Sequence, residues 1–139
     1  MNISARVENR LGQHRAEVTT NDISQTVAIP PRDTGTGSSV NGGELLFLAL
    51  ATCYCNDIYR EAAKRGIQVE SVQVEVHGEF GAAGEPARNL TYSARVEADA
   101  TDADIRDLIM HTDSVAEIHN TLRAGSTVTL DSFEAISKT

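Results

Sequence analysis

Residues 43–55, Gly43-Glu44-Leu45-Leu46-Phe47-Leu48-Ala49-Leu50-Ala51-Thr52-Cys53-Tyr54-Cys55, read as the first half of a helix with no polar side. Almost every residue from Leu45 to Cys55 is apolar, and a helix that is apolar all round is either buried or in a membrane. The run is too short for a bilayer, which needs about 20 apolar residues. Beyond it the pattern turns amphipathic. Tyr54, Ile58 and Ala62 recur every four residues, while Asp57, Arg60, Glu61, Lys64 and Arg65 take the wet side. The pattern predicts one helix over 41–66, about six turns long, with its first half buried and its second half half-exposed. Ser38, Ser39 and Asn41 offer oxygens to its first free amides. Gly66 after Lys64-Arg65 is a left-handed stop, and Ile67 can fold back on the last turn.

The flanking segments read as strands and short helices. In the N-terminal stretch over 1–30, Ile3, Ala5 and Val7 alternate with polar residues, then Ala16 and Val18, then Ile23, Val27 and Ile29, separated by turn residues at 9–13 and Asn21-Asp22. These strands carry few large apolar side chains and need cover from elsewhere. Pro30-Pro31 ends them, and Arg32 to Gly43 is a long Gly-, Ser- and Thr-rich loop. A strand pair over 69–98 alternates cleanly: Val72, Val74 and Val76 on one strand, Leu90, Tyr92, Ala94, Val96 and Ala98 on the other. One face is wet and one buried, so the central helix is its natural cover. Thr101 with Asp104, and Ser114 with Glu117, predict capping boxes opening two helices within 102–123. A closing strand is expected over 126–135. Residues 1–139 thus read as a single α+β domain.

The charge balance restricts the partners. Twelve basic against twenty acidic residues give a formal net charge of −8. With no basic stripe and few aromatics, neither nucleic acid nor an anionic membrane surface is an expected partner. The N-terminal residues lack an apolar signal core, no later run spans a bilayer, and two cysteines two apart are no secretory framework. The expectation is a cytoplasmic protein with reduced thiols.

Cys53 is the residue with most chemical potential. Its alternatives are a small core hydrophobe or a reactive thiol, which needs a cation or dipole to hold its thiolate; Arg10, Arg15 and Arg32 are available. Cys55 points nearly opposite on a helix, so a Cys53–Cys55 bridge or a C-x-C metal site would require unwinding. His77, His111 and His119 show no ligand spacing. Glu44 either complements the helix dipole or orders an arginine near the thiol. No nucleophile elbow, phosphate loop or dinucleotide fingerprint is present, and no cofactor is expected.

Asn41-Gly42-Gly43-Glu44-Leu45-Leu46 running to Ala51-Thr52-Cys53, then Arg65-Gly66-Ile67 and the Val72–Val76 strand, resembles the OsmC/Ohr family of osmotically inducible and organic hydroperoxide resistance proteins. The resemblance implies an OsmC-like fold, with antiparallel sheets around a long buried helix in an intertwined homodimer. It also implies thiol-dependent reduction of organic hydroperoxides, with a dithiol or low-molecular-weight thiol as reductant. The alternative is a non-peroxidatic dimer holding a small apolar ligand at the subunit interface. Cys53 matches the family's reactive cysteine. Arg32 lies within a residue of one branch's arginine, and Arg10, in Arg10-Leu11-Gly12, resembles that of the other. The family's glutamate falls on Gly43, with Glu44 beside it. Its second cysteine falls on Ala116, which leaves Cys55, the other subunit's thiol or an external thiol to reduce an oxidised Cys53.

Overall fold

A computed structural model describes residues 1–139 as two compact units, Met1–Leu48 and Ala49–Thr139. The first unit is a three-stranded antiparallel meander of β1 (Ile3–Arg10), β2 (Gln13–Thr20) and β3 (Ile23–Val27). Asn21 and Asp22, at φ 46 and 67, form the two-residue turn between β2 and β3. This is the conformation that pairs of Asn, Asp or Gly supply at least strain. As expected, the sheet has little core of its own: only Ala16 is buried, and Ile3, Val7 and Ile23 are each more than 60% exposed. In the following loop Pro31 bridges Ser38, and the Gly37 amide donates to Asn9 Oδ1.

Helix α1 (Gly42–Lys64) opens in this unit and continues into the second. Its start is a reciprocal cap. The Glu44 amide donates to Asn41 Oδ1 at 2.8 Å, and the Asn41 amide donates to Glu44 Oε1 at 3.1 Å. Its end is a Schellman turn: the amides of Gly66 and Ile67 donate to Ala63 and Ala62 carbonyls, with Gly66 at φ 66.

The second unit pairs β4 (Gln68–Glu79) with β5 (Arg88–Asp99) and adds α2 (Asp102–Val115) and α3 (Glu117–Ala124). Its core is Tyr54, Ile58, Ala62, Leu108 and Ala116, packed against Ile67, Val69, Val72, Val74, Tyr92, Ala94, Val96 and Ile109. Tyr54 Oη donates to the Ile109 carbonyl at 2.8 Å, tying α1 to α2. The alternating face of the hairpin is the one buried.

Four expectations need correction. The greasy first half of α1 is not the buried half within this chain: Leu48 is 59% exposed, and the buried positions are Leu50, Tyr54, Asp57, Ile58, Glu61 and Ala62. Packing within the second unit covers a stripe along the later turns and leaves much of the all-apolar run uncovered. Asp57 and Glu61, assigned to the wet side, belong to that stripe and are held there by ion pairs. The predicted Ser114 cap is not made, because α2 runs on to Val115; Ser114 Oγ instead donates to the His111 carbonyl. The Thr101 cap is formed. The closing strand over 126–135 is absent: residues 125–139 pair with no strand, and Val128, Leu130 and Phe133 are more than 80% exposed. No edge in this chain receives them. No helix is long and apolar enough to cross a membrane.

Candidate active site

Cys53 lies on α1 one turn before Asp57, so the two side chains share a face. The thiol donates to Asp57 Oδ2 at 3.3 Å and sits 3.9 Å from Glu117 Oε2, at the first turn of α3. Arg60, one further turn along, holds both carboxylates, at 2.9 Å from Asp57 Oδ1 and 2.8 Å from Glu117 Oε1. Its Nε donates to Glu61 Oε1, which also accepts from Lys64, while His111 Nε2 lies 3.3 Å from Glu61 Oε2. A thiol, three carboxylates and three nitrogenous groups therefore run along one side of α1.

The electrostatics follow from this order. Burial pushes the Cys53 thiol up, and the hydrogen bond and charge of Asp57 and the charge of Glu117 add to it; the Ile118 backbone amide opposes them. Burial likewise pushes Asp57 up, helped by Glu117 and opposed by the Cys53 thiol and Arg60. Glu117 is held down by its own backbone amide and by its bonds to Asp57 and Arg60. Asp57 is thus the more readily protonated carboxyl of the pair. Glu61, gripped by Arg60 and Lys64, is lowered to about 2. Left to these neighbours, Cys53 is a protonated thiol at neutral pH.

Sulfur, Asp57 and Glu117 offer ligand atoms within 4.8 Å of one another, a mixed soft and hard set that could hold a zinc-like cation. It contains neither Cys55 nor a histidine. Spacing within the sequence did not reveal it, although Asp57 stands at the helical neighbour position of Cys53. Glu117 was read only as a capping residue.

The other sequence candidates have different surroundings. Arg32 Nε donates to the Ser38 carbonyl at 3.4 Å, Arg10 pairs with Glu8 at 3.9 Å, and Glu44 closes the helix cap; all three belong to the first unit. Cys55 is a free, half-buried thiol in a shallow recess with Ala51, Thr52, Asn56 and Val74. Within the second unit the structure gathers Cys53 with Asp57 and Glu117, and not with Cys55. Ala116, where the resemblance puts a second cysteine, is fully buried immediately before Glu117, which faces Cys53.

Against known families, the OsmC-like protein model matches residues 35–131, a span containing Glu44, Cys53, Cys55 and Ala116 but neither Arg10 nor Arg32. The chain belongs to the OsmC-like protein family. Among solved structures, an OsmC-like protein from Mycoplasma pneumoniae superposes with a TM-score of 0.63 at 16% identity, covering 89% of this chain and 87% of the other. The organic hydroperoxide resistance protein OsmC of Legionella pneumophila gives 0.58 at 17%, covering 88% and 90%. An organic hydroperoxide resistance protein from Elizabethkingia anophelis gives 0.54 at 14%, covering 90% of each. At such identities the likeness is one of fold. None of the curated proteins matches the chain. For an OsmC-like chain, the thiol of α1 is the group to explain.

Proposed function

We propose that this OsmC-like chain reduces organic hydroperoxides through Cys53, in defence against oxidative stress. The observation that supports it most is the half-buried free thiol of Cys53 on α1, inside the span that matches the family. Its fold is shared with proteins named for organic hydroperoxide resistance.

The thiolate attacks the terminal oxygen of ROOH, and the O–O bond breaks. Cys53 becomes a sulfenic acid, and the alkoxide leaves as ROH once protonated. Because Asp57 and Glu117 disfavour the thiolate, a cation has to offset them. Arg32 or Arg10 supplies it, ordered by Glu44, in a homodimer assembled on the exposed apolar turns of α1. With Ala116 at the second-cysteine position, resolution passes to an external dithiol or low-molecular-weight thiol. Its attack on the sulfenic sulfur expels water and leaves a mixed disulfide, and a second thiol then releases Cys53. Cys55 or a thiol of the partner subunit is the alternative resolving group.

Cys53→Ser is expected to abolish hydroperoxide consumption with a dithiol reductant, and undiminished turnover in that variant eliminates the reading. The two carboxylates against the sulfur favour a second reading, a non-peroxidatic dimer that binds a small apolar ligand at its interface. It predicts slow alkylation of Cys53 in the native protein at neutral pH, whereas the peroxidatic reading predicts rapid, selective labelling.

A further inference from the structure

Beside the ring cluster of Tyr54, Tyr92 and His119, the second unit contains a half-open cavity of about 170 Å³. Leu50, Val76, Leu90 and Leu122 form its apolar wall, and Tyr92, His119 and Arg123 its polar one. A closed apolar cavity of about 150 Å³ holds a benzene-sized body, so this one accommodates a compact ring or a short aliphatic chain.

Two features of the polar wall are unexplained by the fold. His119 is only 5% exposed, and neither ring nitrogen has a hydrogen-bond partner. Its ring lies edge-on to Tyr92, with centroids 4.6 Å apart. A buried imidazole without partners costs stability, and such groups are normally satisfied by protein, water or a bound molecule. The second feature is Arg123. Its Nη1 donates to the Asp113 carbonyl and to Asn120 Oδ1, and its Nη2 donates to Asp113 Oδ1. Tyr92 is a further hydrogen-bond partner of the guanidinium, and these partners do not take up all five of its N–H groups. Tyr92 Oη donates to the same Asp113 carboxylate. Both bonds fall on Asp113 Oδ1, and with the Asp113 carbonyl they hold the guanidinium in place at the cavity wall.

We propose that this cavity is a binding site for a small monocarboxylic acid with an apolar body. The body packs on Leu50, Val76, Leu90 and Leu122, the carboxylate takes the unused donors of Arg123, and His119 gains its missing polar partner. Arginine is suited to the task because its fixed planar donors match a carboxylate. The site involves neither Cys53 nor its carboxylates, so it stands whichever reading of the thiol holds.

The test is an NMR titration of the full chain with sodium benzoate, with benzyl alcohol as the uncharged aromatic comparison, both also run on Cys53→Ser. Saturable shifts are expected at the His119 ring and the Leu50, Leu90 and Leu122 methyls, at affinities on the order of millimolar. They should be unchanged by Cys53→Ser. Losing the carboxylate contact should weaken benzyl alcohol about tenfold or more. Leu122→Trp, at the half-exposed rim, should block benzoate while leaving the circular dichroism spectrum intact. Absence of shifts at these residues overturns the proposal. So does equal binding of the alcohol, or the same shifts arising on raising the protein concentration without benzoate, which would make a second copy the occupant.

Discussion

At the scale of single residues, the decisive contact is that of the Cys53 sulfur with two acids. Removing either charge should make the thiol easier to ionise. Asp57→Asn and Glu117→Gln are expected to speed alkylation of Cys53 at pH 7, each by roughly three- to tenfold, as followed by mass spectrometry of the labelled peptide. An unchanged rate would mean that neither carboxylate acts on the sulfur in solution. Glu61 offers a second residue-level test. Its carboxyl is lowered from an ordinary value of 4.5 to about 2 by Arg60 and Lys64. Its contribution to stability is therefore present above pH 4.5 and is lost as the pH falls toward 2. Glu61→Gln should lower Tm at neutral pH, and the gap from the parent protein should close across that window in thermal melts. A gap that stays constant with pH would show that the ion pairs are not its source.

At the scale of elements, α1 was legible because its caps and its later periodicity are local chemistry. Asn41, Glu44, Gly66 and Ile67 do in the fold what their types and spacing imply. The hairpin was legible for a similar reason, since strict alternation leaves its strands one buried face. What the sequence hid was the identity of the packed stripe. Asp57 and Glu61 look solvated until α2 brings His111 to Glu61 and α3 brings Glu117 to Arg60, and only tertiary contacts supply those partners. His119 shows no ligand spacing in the sequence, and its burial depends on the rings of Tyr54 and Tyr92, which only the fold brings to it. Ile58 anchors the stripe and is fully buried. Ile58→Ala should cost about 2–5 kcal/mol in urea unfolding, and a loss well below that range would mean that the later turns of α1 do not carry the core.

At the scale of the molecule, a large share of apolar surface remains uncovered. Ile3, Val7 and Ile23 of the meander, Leu48 of α1 and Leu122 of α3 are all substantially exposed. Exposed apolar side chains in such number suit an interaction surface, and a second copy is the occupant that the proposed homodimer supplies. Leu48→Asp tests this directly. On a free surface such a change is worth only about 0.5 kcal/mol or less, so a monomer should tolerate it. In a dimer sealed on these turns it buries an unpaired charge and should shift the mass measured by analytical ultracentrifugation from dimer toward monomer. A parent protein that already sediments as a monomer would remove the dimer from the proposed mechanism, along with the borrowed arginine.

The segment after Gly125 carries a further consequence. It holds Val128, Leu130, Phe133 and Ile136 in the open, each more than two-thirds exposed, on backbone that is bonded to no strand. Greasy side chains on unpaired backbone are adhesive. A chain released alone from the ribosome would carry this ribbon as a liability, prone to clipping and clumping until a matching edge took it up. Survival of the newly made protein would then depend on how soon such an edge reached it.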